Sequence, residues 1–174
     1  MPITPFHGGI GLACKGPLGR RFSFTIFTAT QIAIDLESAY FLFTRQYPVH
    51  RFFHTILGAS LMCLTVALLA RRPCEALLRS TTRALGAARP TWLDLEPGIS
   101  RSTALASAAV GMLGHVIPDA IMHADAQPFA PWSDANPLLD AVALGDLHLG
   151  LVALGALGFG WTLSASFVRR SRLR

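Results

Sequence analysis

Residues 53–70 read FHTILGASLMCLTVALLA, and none of these side chains carries a full charge at neutral pH when His54 is neutral. Eighteen residues in an α-helix rise about 27 Å, which is close to the roughly 30 Å hydrocarbon core of a bilayer. The stretch therefore predicts a helix that crosses a membrane.

The composition of the whole chain favours the same class. Of 174 residues, 52% are hydrophobic and only 14% are charged, with a mean hydropathy of +0.45. This leaves too few charges for a water-facing surface and indicates an integral membrane protein. The fold class predicted is all-α: a polytopic membrane helical bundle in one domain, residues 1–174. Its four transmembrane helices are predicted at residues 22–44, 53–70, 102–122 and 147–168.

Two shorter segments complete the predicted bundle. The stretch FHGGIGLACKGPLGRRF is apolar from Ile10 to Cys14 and is closed by a Gly-Pro turn. It is too short to cross, so it predicts a partial helix that folds against the next span. Residues 74–90, CEALLRSTTRALGAARP, alternate arginine with apolar residues and predict an interfacial helix. No signal peptide is predicted, and three cysteines without CxxC spacing predict neither a disulfide framework nor a thiolate metal site.

The net charge of +5 is distributed in clusters that orient the spans. Basic residues precede the first span, separate the second from the third and follow the fourth, whereas the connection at 123–146 is acidic. The positive-inside rule then makes the basic loops and the C-terminus cytoplasmic. The same rule accounts for the basic excess, so no nucleic-acid partner is predicted.

With this orientation, ionisable residues from every part of the chain converge near the outer face. Buried ionisable groups cost about 2.5–3.5 kcal/mol each on insertion scales, so their accumulation at one depth predicts a shared role. Imidazole and carboxylate groups together suit a divalent metal, above all Zn²⁺, as one or two ions. The predicted metal ligands are His7, Asp35, His50, His54, His115, Asp119 and His123.

Individual parts of this pattern have simpler interpretations. The HxxxH spacing of His50 and His54 also suits interfacial histidines. Asp35 with Glu37 also suits helix packing or proton relay. His148 is interpreted with Asp146 as the external cap of the fourth span rather than as a ligand.

Four motifs together resemble the prokaryotic membrane-bound metal-dependent hydrolases, a family named for a LexA-regulated member. They are His7 on a short apolar segment, IDLE at 34–37, HRFFHT at 50–55 and GHVIPD at 114–119. The last motif is also similar to an HxxxD element of zinc-dependent phospholipase C enzymes. The resemblance implies a metal-dependent hydrolase of the bacterial cytoplasmic membrane.

Catalytic roles follow as expectations. Glu37 or Asp125 is expected to act as general base, and Arg51 or Arg45 to hold the phosphate of a phospholipid or another membrane-associated substrate. Two alternatives remain, a metal or proton translocator and a non-catalytic membrane protein with a structural metal. The sequence does not predict the oligomeric state.

Overall fold

The structure, a computed structural model, describes residues 5–86 and 98–171, and side chains from 6 to 165 within those ranges. The predicted interfacial segment beyond Gly86 lies outside the described residues, as do Arg89, Arg172 and Arg174. Six α-helices and no strands are present in the described part, which confirms the all-α prediction. The helices are α1 (Gly8–Leu18), α2 (Phe24–Phe43), α3 (Ile56–Leu69), α4 (Arg71–Leu85), α5 (Arg101–Met122) and α6 (Leu144–Ser171).

Hydroxyl side chains cap the starts of the three central helices. Ser23 accepts a hydrogen bond from the amide of Ile26 at the start of α2. Thr55 caps α3 and Ser100 caps α5 in the same way. Each cap satisfies one of the amide groups that have no partner in the first helical turn.

Helices α2, α3 and α5 pack together with a defined polarity. The amide of Ser23 donates to Ser107 Oγ at 2.8 Å, and the Gln31 side chain donates to the Gly111 carbonyl at 3.0 Å. The paired residue numbers increase together, so α2 and α5 are parallel. Helix α3 runs in the opposite direction, because His54 lies beside His115 at its start. The start of α3 and the ends of α2 and α5 therefore meet at one end of the bundle.

The apolar core occupies the other end of these helices. It consists of small and branched side chains that pack between α2, α3, α4 and α5: Ile26, Cys63, Val66, Cys74, Leu78, Ile99, Ala104 and Ala108. The small residues on α5 permit close helix contact. A smaller apolar cluster, formed by Ile34, Ala59 and Val116, lies nearer the polar end.

Helix α1 packs mainly on α6, and the expectation that it would pack chiefly on the following span is wrong. The two helices run parallel, with Gly9 against Leu151 and Gly155, and Gly16 against Gly158. A Cβ at Gly9 would overlap the Leu151 carbonyl, so the absence of side chains at this interface is what permits the close approach.

Fewer helices than the four predicted are long and apolar enough to cross a membrane. Within the described residues, α5 and the Leu144–Ala165 part of α6 are long and apolar enough, and α3 with α4 would make a third if the bent pair is one span. Helix α2 has sufficient length but is less apolar, because it carries Gln31, Asp35 and Glu37 among other polar residues. Helix α3 has only 14 residues, or about 21 Å.

Helix α4 continues from α3 after a bend of 55°. Pro73 lies in the first turn of α4, where its ring prevents a continuous hydrogen-bonded helix from α3. The bend redirects an arginine-containing helix away from the axis of α3, in the region where the interfacial helix was predicted.

Leucine substitutions on α6 test the close contact with α1. A side chain at Gly158 would overlap the backbone of Leu12, whereas Gly160 has nothing within 4 Å of its Cβ position. We expect Gly158→Leu to destabilise the protein by about 1–3 kcal/mol or more through overpacking, and Gly160→Leu to have little effect. Thermal unfolding in detergent measures both, and equal melting temperatures for the two variants would contradict the packing described.

Candidate metal centre

Asp119, near the end of α5, lies at the centre of the polar end of the bundle. Its Oδ2 is 3.1 Å from His115 Nε2 and 3.5 Å from His54 Nε2. Its Oδ1 is 3.5 Å from His7 Nε2 and 3.8 Å from His123 Nε2. One carboxylate thus faces four imidazoles contributed by α5 and by two other parts of the chain.

A second carboxylate approaches from α2. Asp35 Oδ1 lies 3.3 Å from His115 Nε2 and 4.0 Å from His54 Nε2. The two ring nitrogens are themselves 3.3 Å apart. Asp35, His54 and His115 are all buried, so three polar groups converge where no bulk water balances their charge.

Gln31 fixes the orientation of the His115 ring. The amide of Gln31 donates to the Gly111 carbonyl, which leaves its Oε1 facing His115 Nδ1. His115 therefore donates from Nδ1, and its Nε2 faces the carboxylates of Asp35 and Asp119. Metal-binding histidines are commonly held by such a hydrogen bond on the other ring nitrogen.

Asp125 performs the equivalent role for His50. Its Oδ1 lies 2.8 Å from His50 Nδ1, and its Oδ2 accepts hydrogen bonds from the amides of Val49 and His50. His50 Nε2 is left for the cluster, and the His50 ring stacks on His123 with centroids 4.1 Å apart. The two carboxylate oxygens of Asp125 are thus already occupied by three donors.

Protonation in this loop follows from burial and hydrogen bonding. Burial lowers the pKa of His50, and the neighbouring His54 acts in the same direction. Burial alone would raise the pKa of Asp125, but the hydrogen bonds from His50 and Val49 together hold that pKa below its usual value. A neutral imidazole beside an ionised carboxylate is the protonation state that a metal ligand requires.

His7 has neither ring nitrogen hydrogen-bonded within the described residues, although its side chain is only 3% exposed. An unpaired buried polar group costs about 1–3 kcal/mol. Because Nε2 points toward Asp119, a cation between the two groups would satisfy both. The unpaired ring therefore fits a metal ligand better than a packing residue.

The donor atoms are spaced as metal ligands are. Two ligands 2.0–2.2 Å from a tetrahedral zinc ion stand about 3.3–3.6 Å apart, and the separations around Asp119 are similar. Four groups have donor atoms that all lie within 4.8 Å of one another: His7, His115, Asp119; Asp35, His54, His115; His50, His54, Asp119; and His50, His123, Asp125. The first three groups are entirely buried, and such histidine and aspartate groups could hold a metal ion.

The remaining residues predicted for catalysis border the cluster. Glu37 Oε2 accepts a hydrogen bond from the amide of Phe53 at 2.7 Å and lies 3.8 Å from His54 Nδ1. Arg51 is held by its Nε on the Pro48 carbonyl and by its guanidinium over the Phe41 ring, 3.6 Å from the centroid. Arg45 is exposed.

The structure also separates one histidine from the cluster and adds residues to it. The His148 ring lies tilted against Phe6, with centroids 4.6 Å apart, and belongs to none of the metal-binding groups within the described residues. Gln31 and Ser38 were not predicted, yet Gln31 orients His115 and Ser38 Oγ lies within 3.4 Å of both His54 ring nitrogens. Their positions four residues before and three after Asp35 place them on its helix face, which was the available signal.

Comparison with known proteins identifies no relative of this chain. Neither a family model, nor a curated protein, nor a solved structure matches the chain.

Metal content tests the cluster directly. We expect purified protein to bind a divalent metal and Asp119→Ala to lose most of it, because the carboxylate faces four of the candidate ligands. Elemental analysis after dialysis against Zn²⁺ measures the bound metal.

Asp146→Ala is the matched control, because Asp146 is an exposed acid in the first turn of α6. A second pair, His54→Ala and His148→Ala, makes the same comparison for histidine. Equal metal content in Asp119→Ala and Asp146→Ala would contradict the assignment of the cluster.

Proposed function

We propose that this protein is a membrane-bound metal-dependent hydrolase that acts on a phosphoester of a lipid-like substrate. The observation that carries the proposal is the position of Asp119, a buried carboxylate surrounded by four imidazoles at one end of the bundle. The resemblance of the HRFFHT and GHVIPD motifs to membrane-bound metal-dependent hydrolases supports the same class.

Zn²⁺ is the proposed metal, as one or two ions, because imidazole and carboxylate ligands at near-tetrahedral spacing suit it. The residues that would hold it are His7, Asp35, His50, His54, His115, Asp119 and His123. When bound, the metal supplies Lewis acidity, which activates water and polarises a phosphoryl oxygen.

Glu37 is the proposed general base. One of its carboxylate oxygens accepts from the Phe53 amide, and among the described residues no hydrogen bond involves Oε1. That oxygen remains able to take a proton from water at the edge of the cluster. Asp125 is less suited to this role, because three hydrogen bonds already occupy its carboxylate.

A crevice beside the cluster provides a place for the substrate. Its volume is about 260 Å³, and it is lined mostly by apolar groups together with a histidine, an arginine, a threonine and a glutamine: Pro48, His50, Arg51, Phe52, Thr55, Leu57, Gln127, Ala130 and Pro131. The Nε contact with Pro48 leaves the terminal nitrogens of Arg51 available for a phosphate. An apolar crevice with one cation suits an amphiphilic phosphoester.

The proposed location is the bacterial cytoplasmic membrane, with the cluster near the outer face and the basic loops and C-terminus in the cytoplasm. The apolar surface of α6 supports a membrane location, since only 17% of the most apolar 18-residue stretch within Leu144–Ala165 is buried in the bundle. In this arrangement α2 would cross the bilayer beside α5, with its polar residues directed toward the cluster rather than toward lipid.

A metal that only joins helices is the second candidate. The observation that favours it is the depth of burial, because His54 and His115 are each 1% exposed. A structural site has all its positions filled by protein, whereas a catalytic site keeps one open. Metal binding without hydrolysis by the purified protein would support this candidate over the first.

Glu37→Gln tests the proposed chemistry. We expect kcat for a phosphodiester with one acyl chain to fall by about 10²–10⁴-fold, because the amide cannot accept the proton, while metal content stays close to wild type. Hydrolysis is followed by release of the alcohol, and bound metal by elemental analysis.

Asp125→Asn is the comparison for this experiment. Loss of the carboxylate that orients His50 should weaken metal binding by about 10–100-fold, and activity should return at high metal concentration. Restoration of Glu37→Gln by added metal, or unchanged kcat in that variant, would count against Glu37 as the base.

Arg51→Gln tests recognition of the phosphate. We expect KM to rise about tenfold or more through loss of a charge-assisted hydrogen bond, with metal content unchanged. Arg45→Gln removes the same charge from an exposed neighbour and should leave KM near the wild-type value. Equal KM values for the two variants would exclude a specific role for Arg51.

A further inference from the structure

A second cavity lies at the opposite end of the bundle from the histidine cluster. It has a volume of about 640 Å³ and is formed where α3 ends and α4 and α5 begin. Its lining consists of apolar side chains and three arginines: Leu64, Ala67, Leu68, Leu69, Arg71, Arg72, Arg101 and Leu105. Arg101 precedes His115 by 14 residues, or about 21 Å along α5, so the cavity is separate from the proposed active site.

The charge on this cavity is uncompensated in the part of the chain that the structure describes. No carboxylate is among its lining residues, and neither Arg72 nor Arg101 has an ion-pair or hydrogen-bond partner there. Arg71 donates only to the Ile99 carbonyl, at 3.4 Å. The nearby acid Glu75 instead accepts from the Ile99 amide. Three guanidinium groups thus repel one another around one space.

The arginines and the apolar residues occur in the same order on both sides of the cavity. Along α3 and into α4, Leu64 and Leu68 come first and Arg71 and Arg72 follow. Along α5 in the reverse direction, Leu105 comes first and Arg101 follows. Leu68 is 77% exposed and Leu64 50%, so the apolar part opens onto the side of the bundle. This order of groups matches an acyl chain followed by an anionic headgroup.

We propose that this cavity binds one anionic phospholipid of the leaflet at that end of the bundle. The phosphate of the headgroup accepts hydrogen bonds from Arg71, Arg72 and Arg101, and an acyl chain lies along the leucines. Guanidinium groups form bidentate hydrogen bonds with phosphate, and basic pockets between membrane helices on the cytoplasmic side recognise anionic headgroups in this way. A zwitterionic headgroup brings its own cation to the arginines and is disfavoured.

Native mass spectrometry of the full chain in detergent tests the assignment. Wild-type protein is titrated with phosphatidylglycerol and, separately, with phosphatidylcholine of the same acyl chains. The variant Arg72→Gln/Arg101→Gln removes two charges from the cavity. Its control, Arg79→Gln/Arg83→Gln, removes two charges from exposed positions on α4 that do not line the cavity.

We expect phosphatidylglycerol to bind wild type more tightly than phosphatidylcholine. Affinity for phosphatidylglycerol should fall about fivefold for each cavity arginine removed, or about 25-fold in the double variant, and remain near wild type in the control. Equal loss in the two double variants would overturn the proposal, since it would indicate only general charge attraction.

Two further outcomes also test whether the cavity binds an anionic phospholipid. Equal binding of the two lipids by wild type would overturn the proposal without any variant. Displacement of phosphatidylglycerol by inorganic phosphate alone would assign the arginines to free phosphate instead. Metal content and hydrolysis are measured on the same samples. The proposed metal site lies at the other end of α5, so the loss of either property would not change the interpretation of lipid binding.

Discussion

The Asp119 carboxylate is the group on which the arrangement of the polar end depends. It is buried at 4% exposure, and an isolated carboxylate there would cost several kcal/mol unless neighbouring charge offset it. Four imidazoles supply that environment, and they reach it from separate parts of the chain. The requirement to surround one acid therefore determines how the start of α3 and the N-terminal segment meet α5.

The two ends of the bundle consequently have different chemistry. At one end, Gln31 and Asp125 hold the rings of His115 and His50 so that the Nε2 atoms point inward. At the other end, alanines and branched side chains pack without buried acids, and arginines gather where the helices begin and end. Separation of this kind is what the two proposals require, with hydrolysis at one end of the bundle and an anionic lipid at the other.

Much of this arrangement could be predicted from the sequence, because the positions of the arginine clusters and the spacing of polar residues along a helix can be read from the sequence directly. The arginine clusters implied that α3 runs opposite to α2 and α5, and the i, i+4 spacing of His115, Asp119 and His123 implied one helix face. The packing of α1 on α6 was missed, since it depends on the glycines of both helices and not on the turn between α1 and α2. Fewer than four helices are long and apolar enough to qualify as spans, because the polar residues that form the cluster also lower the hydropathy of α2. The orienting role of Asp125 was equally inaccessible, because it requires the loop geometry that brings residue 125 to His50.

X-ray absorption at the zinc edge of the purified, zinc-loaded protein tests the central claim most directly. The proposed zinc centre predicts a nitrogen and oxygen shell at about 2.0–2.1 Å with the outer-shell scattering of at least two imidazole rings. A shell dominated by sulfur at about 2.3 Å, which would indicate the cysteines, or a shell of oxygen without imidazole scattering, would contradict it.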